Sequence, residues 1–167
     1  SKEIGEQPIW VEWLSKVKGI GPLLGGCLIA WIGSDHYPSG KWRCPVCAEK
    51  FYHQKLAEEH KGHGSAEEQQ LVRGIAAFDN ISRLWAFCGL HVKEGKAARR
   101  KRGEKANWND DLKLTCWKAG ESMIKTNSPY REVYDRAKEI YSARPGLTKL
   151  HVHNMAKRKM VKMLLSH

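Results

Sequence analysis

The sequence predicts a mainly α protein, a helix-hairpin-helix helical domain that carries a small ββα zinc-finger insert. Apolar residues recur every three to four positions in most segments. β-strand signals are confined to the stretch from Lys41 to Tyr52. A tight Gly-Ile-Gly-Pro bend, from Gly19 to Pro22, separates two apolar segments near the start of the chain. The expected organisation is a hairpin unit over 8–33, a zinc unit over 41–64 and a remaining helical domain over 65–167 with a basic loop at 93–105.

Pro8 suits a first helical position, and Trp10, Trp13, Leu14 and Val17 follow at helical spacing, which predicts a helix over 9–17. Gly19 and Gly21 can both take φ > 0, so the chain can reverse in very few residues and leave its N–H groups facing outward. Pro22 has no N–H to lose at the start of the next helix, expected over 23–32 with Leu23, Leu24, Cys27, Leu28 and Trp31 along it. Backbone amides and the positive end of that helix form an arrangement suited to anions. An ordinary pair of packed helices joined by a glycine turn is the plain alternative.

Further along, the capping-box spacing of Ser65 and Glu68 predicts a short helix through EEQQLVRGIAA. Asp79 or Asn80 caps ISRLWAFCG, with Ile81, Leu84, Trp85 and Cys88 on one face and Gly89 as the stop. Trp108, Leu112, Cys116, Ala119 and Met123 form the stripe of a longer helix. Pro129 opens another, which Pro145 and Gly146 end. The last runs from Thr148 to Leu165 and carries Met155, Met160, Val161 and Leu164 together with Lys157, Arg158, Lys159 and Lys162, four cations that either extend a phosphate-binding surface or simply keep the helix's outer face wet.

At 167 residues the chain can bury a real core, to which seven tryptophans contribute. Its net charge is +11. Residues 1–90 hold 10 basic and 10 acidic side chains, while residues 91–167 hold 19 and 8, so the surplus lies entirely in the C-terminal part. A field of that sign favours polyanions. The longest apolar stretch, 22–33, is interrupted by glycines and too short to span a bilayer, and no stretch reads as a signal peptide. The expectation is a soluble, intracellular protein of the cytoplasm or nucleoid, with no membrane partner. Because the chain opens on Ser1 and not on methionine, a larger parent protein stays open.

Five cysteines do not make a disulfide framework. Cys27, Cys88 and Cys116 read as small buried hydrophobes. Cys44 and Cys47, followed by His60 and His63, have the pattern of a Cys2His2 zinc site, with two thiolates on a knuckle and two imidazoles one helical turn apart. Phe51 and Leu56 supply the small core between hairpin and helix. The two histidines stand closer together than in the common finger, and His53 is a substitute ligand. Positions that would face bases fall near His53, Leu56 and Glu59, with Glu58 adjacent, and this acidic surface is a poor neighbour for phosphate. A metal-stapled brace is therefore preferred to a base-reading finger.

Seven cations, Lys93, Lys96, Arg99, Arg100, Lys101, Arg102 and Lys105, crowd a glycine-punctuated run that includes Glu94 and Glu104. Together with Lys18, Gly19, Ile20 and Gly21, the segment from Lys96 to Lys105 is the expected phosphate-binding surface. A solvated loop is the plain reading of such a run.

The order of VKGIGPLLGGCLIAWIG, FDNISRLWAFCGL, the basic run, a long helix, SPYREVYDRAKEIY and HNMAKRKMVKMLL resembles the C-terminal, helix-hairpin-helix domain of the bridge-RNA-guided insertion-sequence transposases. Residues 34–76 interrupt the likeness as an insertion. The resemblance implies nucleic-acid binding and transposition, and in that family an upstream RuvC-like domain supplies four acidic residues. It also implies a serine nucleophile shortly after the Gly-Leu pair. Here Gly89 and Leu90 lead to Glu94 and Gly95, with no serine, and a carboxylate does not replace an alkoxide that must attack phosphorus and leave again.

No catalytic residue is therefore assigned. Asp110 and Asp111 diverge by about 100° on a helix, and His151 and His153 point to nearly opposite sides. The expected function is binding of nucleic acid, DNA first and structured RNA second. The alternatives are a zinc-stapled interaction module, docking a protein partner or a second copy of the chain, and a recombinase subunit whose catalytic groups lie on another domain or chain.

Overall fold

Leu112, Cys116, Ala119 and Met123 recur at helical spacing, and all four are fully buried along one side of a helix over Asp110–Lys125. Removing a side chain of the size of Leu or Met from water contributes roughly 1.5–3 kcal/mol, so this stripe organises the core. The computed structural model describes residues 2–32, 42–43, 50–51, 75, 78–100, 102–103, 106 and 108–167. Among them the chain is mainly helical.

The helices are α1 (Lys2–Gly5), α2 (Pro8–Glu12), α3 (Pro22–Ile32), α4 (Ile81–Phe87), α5 (Asp110–Lys125), α6 (Arg131–Ser142) and α7 (Lys149–Leu164). α6 lies along α7, and α5 is held between α3 on one side and α7 on the other. Leu14, Val17, Ile20, Leu28 and Ile29 join Leu84, Leu90, Met123, Tyr134, Met160, Val161 and Leu164 in one apolar cluster. The hairpin unit and the C-terminal helices thus share a core.

Side chains cap three of the helices, and of the two candidates named before α4 it is Asn80 that does so. The Asn80 side chain accepts from the Arg83 N–H at 3.1 Å, and Thr148 Oγ1 accepts from the His151 N–H at 3.2 Å. Asn109 caps α5 by accepting from the Leu112 N–H at 2.9 Å. Gly89, at φ +64°, ends α4.

Four features differ from the sequence reading. The helix expected over 9–17 is α2 followed by a 3-10 turn over Leu14–Lys16, because Trp13 leaves the helical region at φ −137°, ψ −65°. α1 was not foreseen; Ile4 reaches across to Gly26, where an added Cβ would stand 3.0 Å from Ile4 Cδ1. The start of the basic loop is a β-hairpin, β3 (Val92–Lys93) against β4 (Lys96–Ala97), with Lys93 paired to Lys96. Glu94 at φ 52° and Gly95 at φ 75° form its two-residue turn, as tight hairpin turns of this hand require. Finally, Lys157 is 2% exposed, not on a wet face.

The first two strands, β1 (Trp42–Arg43) and β2 (Lys50–Phe51), pair antiparallel, Trp42 opposite Phe51 and Arg43 opposite Lys50, within the region where strands were expected. The helix expected through EEQQLVRGIAA lies, apart from the single residue Ile75, outside the described residues.

Candidate nucleic-acid interface

The glycine corner is built by contact with α5. Gly19 has φ +91°, and a Cβ placed there would stand 2.6 Å from Thr126 Oγ1 and 3.0 Å from both N and Cα of Met123. Only glycine combines that left-handed backbone with so close an approach. Ile20 is buried, and its N–H donates to the Val17 carbonyl at 3.0 Å. Val17 and Ile20 pin the inner side of the corner, and the outer side is left open.

On that outer side Lys18, Gly21 and Pro22 are exposed, and Leu23 is 80% exposed. The first α3 amide to close on the helix's own backbone is that of Gly25, on the Gly21 carbonyl at 2.9 Å. Amides before it have no partner inside the helix. Gly21 does not use a positive φ, contrary to expectation, and an added Cβ there would meet nothing within 4 Å. The geometry corrects the predicted set: Gly19 and Ile20 hold the corner in place, while Lys18 and Gly21 face solvent.

The surroundings of Lys18 are electrostatically mixed. It borders an open cleft of about 620 Å³ whose walls also carry Arg131 and Arg136 together with Glu132, Asp135 and Glu139 from α6. Three carboxylates offset three cations there. The cleft is therefore close to neutral, and Lys18 stands at its border.

Of the predicted basic residues, Lys96 and Arg99 are exposed on and just after the β3–β4 hairpin, and Arg102 is exposed two residues beyond Arg100. Arg100 is exposed too, but its Nη1 lies 3.0 Å from Asp110 Oδ2. The other oxygen of Asp110 accepts from Trp108 Nε1 at 2.8 Å. Asp110 therefore fastens the basic segment to the first turn of α5. Lys101 and Lys105 lie outside the described residues, as do the expected zinc ligands Cys44, Cys47, His60 and His63 and the substitute His53.

A second gathering of cations was only half visible in the sequence. Lys113 Nζ lies 4.5 Å from the centre of the Trp108 ring and donates to the Ala98 carbonyl at 3.2 Å. The His91 ring is 5.7 Å from that of Trp108. Lys162 Nζ sits 4.7 Å from the Trp85 ring, whose Nε1 donates to the Lys162 carbonyl at 3.3 Å. Burial lowers the proton affinity of Lys113, Arg158 and Lys162; Arg158 lowers Lys162 further, and it lowers Lys113 against the opposing pull of Asp110. His91 is lowered by burial and then by Lys113, against the raising effect of the Ala86 backbone, with a smaller push from Lys162.

Elsewhere, buried Lys157 donates to Glu121 and lies 3.8 Å from the Trp117 ring centre. His153 joins it, with Nε2 3.4 Å from Glu121 Oε1 and Nδ1 2.8 Å from the Tyr134 hydroxyl. Hydrogen bonding to Lys157 holds the Glu121 carboxyl below its ordinary range. Cys88 and Cys116 are fully buried, as expected of small hydrophobes. Glu94, at the position where the resemblance implies a serine, is exposed on the hairpin turn.

No protein-family model, curated protein or solved structure matches this chain. Among the described residues no helix is long and apolar enough to cross a membrane.

Proposed function

We propose that this chain binds nucleic acid, duplex DNA first, by gripping backbone phosphates with the outer side of the glycine corner and with the basic segment that follows α4. The observation that carries the reading is the corner itself. A left-handed Gly19 wedged on α5 turns the chain so that Lys18 and the open amides at the start of α3 stand together in solvent. The charge surplus in the second half of the chain supplies long-range attraction. The resemblance to the transposase C-terminal domain points the same way, and without a serine near Glu94 the reading is one of binding and not of strand transfer.

Zinc belongs to the same proposal. Cys44 and Cys47 fall within the six residues that separate the two paired strands, where a metal-binding knuckle would sit, and His60 and His63 complete a thiolate-imidazole donor set suited to zinc. Its role is to staple the insert.

Fluorescence anisotropy with duplex, single-stranded, junction and hairpin-RNA probes tests the function. Tight binding of the duplex that weakens steeply with salt is expected. A stable oligomer indifferent to every probe would replace this reading with the zinc-stapled interaction module.

A further inference from the structure

Lys113, Arg158 and Lys162 come from the first turns of α5 and the last turns of α7, with His91 beside them after α4. None of the three long cations makes an ion pair among the described residues. The nearby carboxylate, Asp110, is already shared by Arg100 and the Trp108 indole. All three are partly withdrawn from water, two lie over indole rings, and His91 Nδ1 is buried without a partner among the described residues.

Cations that are both desolvated and close to one another raise the free energy of the folded chain unless a counter-charge joins them. Surface lysines ordinarily avoid this by extending into water. Here Lys113 is held back by the Ala98 carbonyl and Trp108, and Lys162 by Trp85. Such a group is arranged for an incoming anion.

We propose that Lys113, Arg158 and Lys162 form a phosphate seat that receives a phosphodiester of a bound polynucleotide. The choice of a polynucleotide rests on the function proposed above, whereas the existence of an anion seat does not. Lys113 and Met123, which abuts Gly19, are ten residues apart on α5, a rise of about 15 Å. Exposed Lys96 and Arg99 are near neighbours in sequence of Ala98, whose carbonyl anchors Lys113.

The test uses the whole chain and two probes, inorganic tripolyphosphate and a 20-base-pair duplex (about two helical turns), with Lys113→Gln/Arg158→Gln as the variant. The indole N–H signals of Trp85 and Trp108, assigned by Trp→Phe replacement, and the titration of His91 are followed by NMR. Tripolyphosphate is expected to shift both indole signals and raise the His91 proton affinity in the wild type but not in the variant. The variant should be at least as heat-stable as the wild type without anion, because repulsion is relieved. Its duplex affinity should fall about tenfold or more, and its salt slope by roughly one to two. A Lys162→Gln variant with the same pattern would support the seat independently. Unmoved indole and His91 signals would overturn the proposal, as would unchanged duplex binding by a folded variant. If tripolyphosphate binds at these residues while no polynucleotide binds the wild type, the seat stands and the proposed function fails.

Discussion

Gly19 is pressed against the backbone of Met123, with its absent Cβ leaving 3.0 Å to that residue's N and Cα. The φ of +91° at Gly19 makes the position doubly demanding, since an L side chain there would be strained as well as crowded. Two residues on, Gly21 has neither constraint. The two glycines of one motif thus separate into a structural and an exposed partner.

Gly19→Ala should lower stability by roughly 2 kcal/mol or more, combining a left-handed backbone penalty with displacement of Thr126 and Met123. Gly21→Val should leave the fold intact, since nothing lies within 4 Å of its Cβ, yet weaken duplex binding by obstructing the open amides. Chemical denaturation and circular dichroism check the first variant, and anisotropy checks the second.

Removing Glu121 should cost more than removing Lys157. Glu121→Gln leaves the Lys157 cation buried over Trp117 without its counter-charge, at a cost of about 2–3 kcal/mol, reduced from that of a wholly buried pair because Glu121 is 39% exposed. Lys157→Met keeps the stem against Gly120 and leaves a carboxylate that water can reach, so it should be near neutral. Equal losses in thermal unfolding would contradict the asymmetry.

Acidification should destabilise the chain in two stages. His91 binds a proton less readily folded than unfolded, so the stability it contributes is present above the ordinary histidine range, near pH 6.5, and is lost as pH falls through it. Glu121 is depressed as well, so its contribution holds above the ordinary carboxylate range and disappears as pH drops toward its lower folded value. His91→Gln should flatten the upper stage alone, as read from denaturation midpoints at successive pH values.

Zinc should be found at about one ion per chain, the complement of a single Cys2His2 set. A chelator, or Cys44→Ser with Cys47→Ser, should remove it and loosen the 41–64 unit while the C-terminal helices persist. Elemental analysis and circular dichroism report on the two parts.

Much of this was legible in the chain. The Leu112, Cys116, Ala119 and Met123 stripe and the cap at Asn80 are local signals with fixed spacing, and the helices follow them. The break at Trp13 and the β3–β4 hairpin were hidden, the second because Glu94-Gly95 takes the place of the usual Asn-Gly turn and its strands bear lysines. Lys157 looked like a surface residue because its burial depends on Glu121 and Trp117, more than thirty positions away on α5. The gathering of His91, Lys113, Arg158 and Lys162 likewise depends on separate segments meeting, which no periodicity encodes.

The most direct test of phosphate binding is a duplex titration by anisotropy across roughly 50 to 200 mM salt, with Gly21→Val in parallel. With about five phosphate contacts, affinity should fall a few hundredfold over that range, and the variant should bind more weakly throughout. Absence of binding at low salt, or binding that neither salt nor the variant changes, would contradict it.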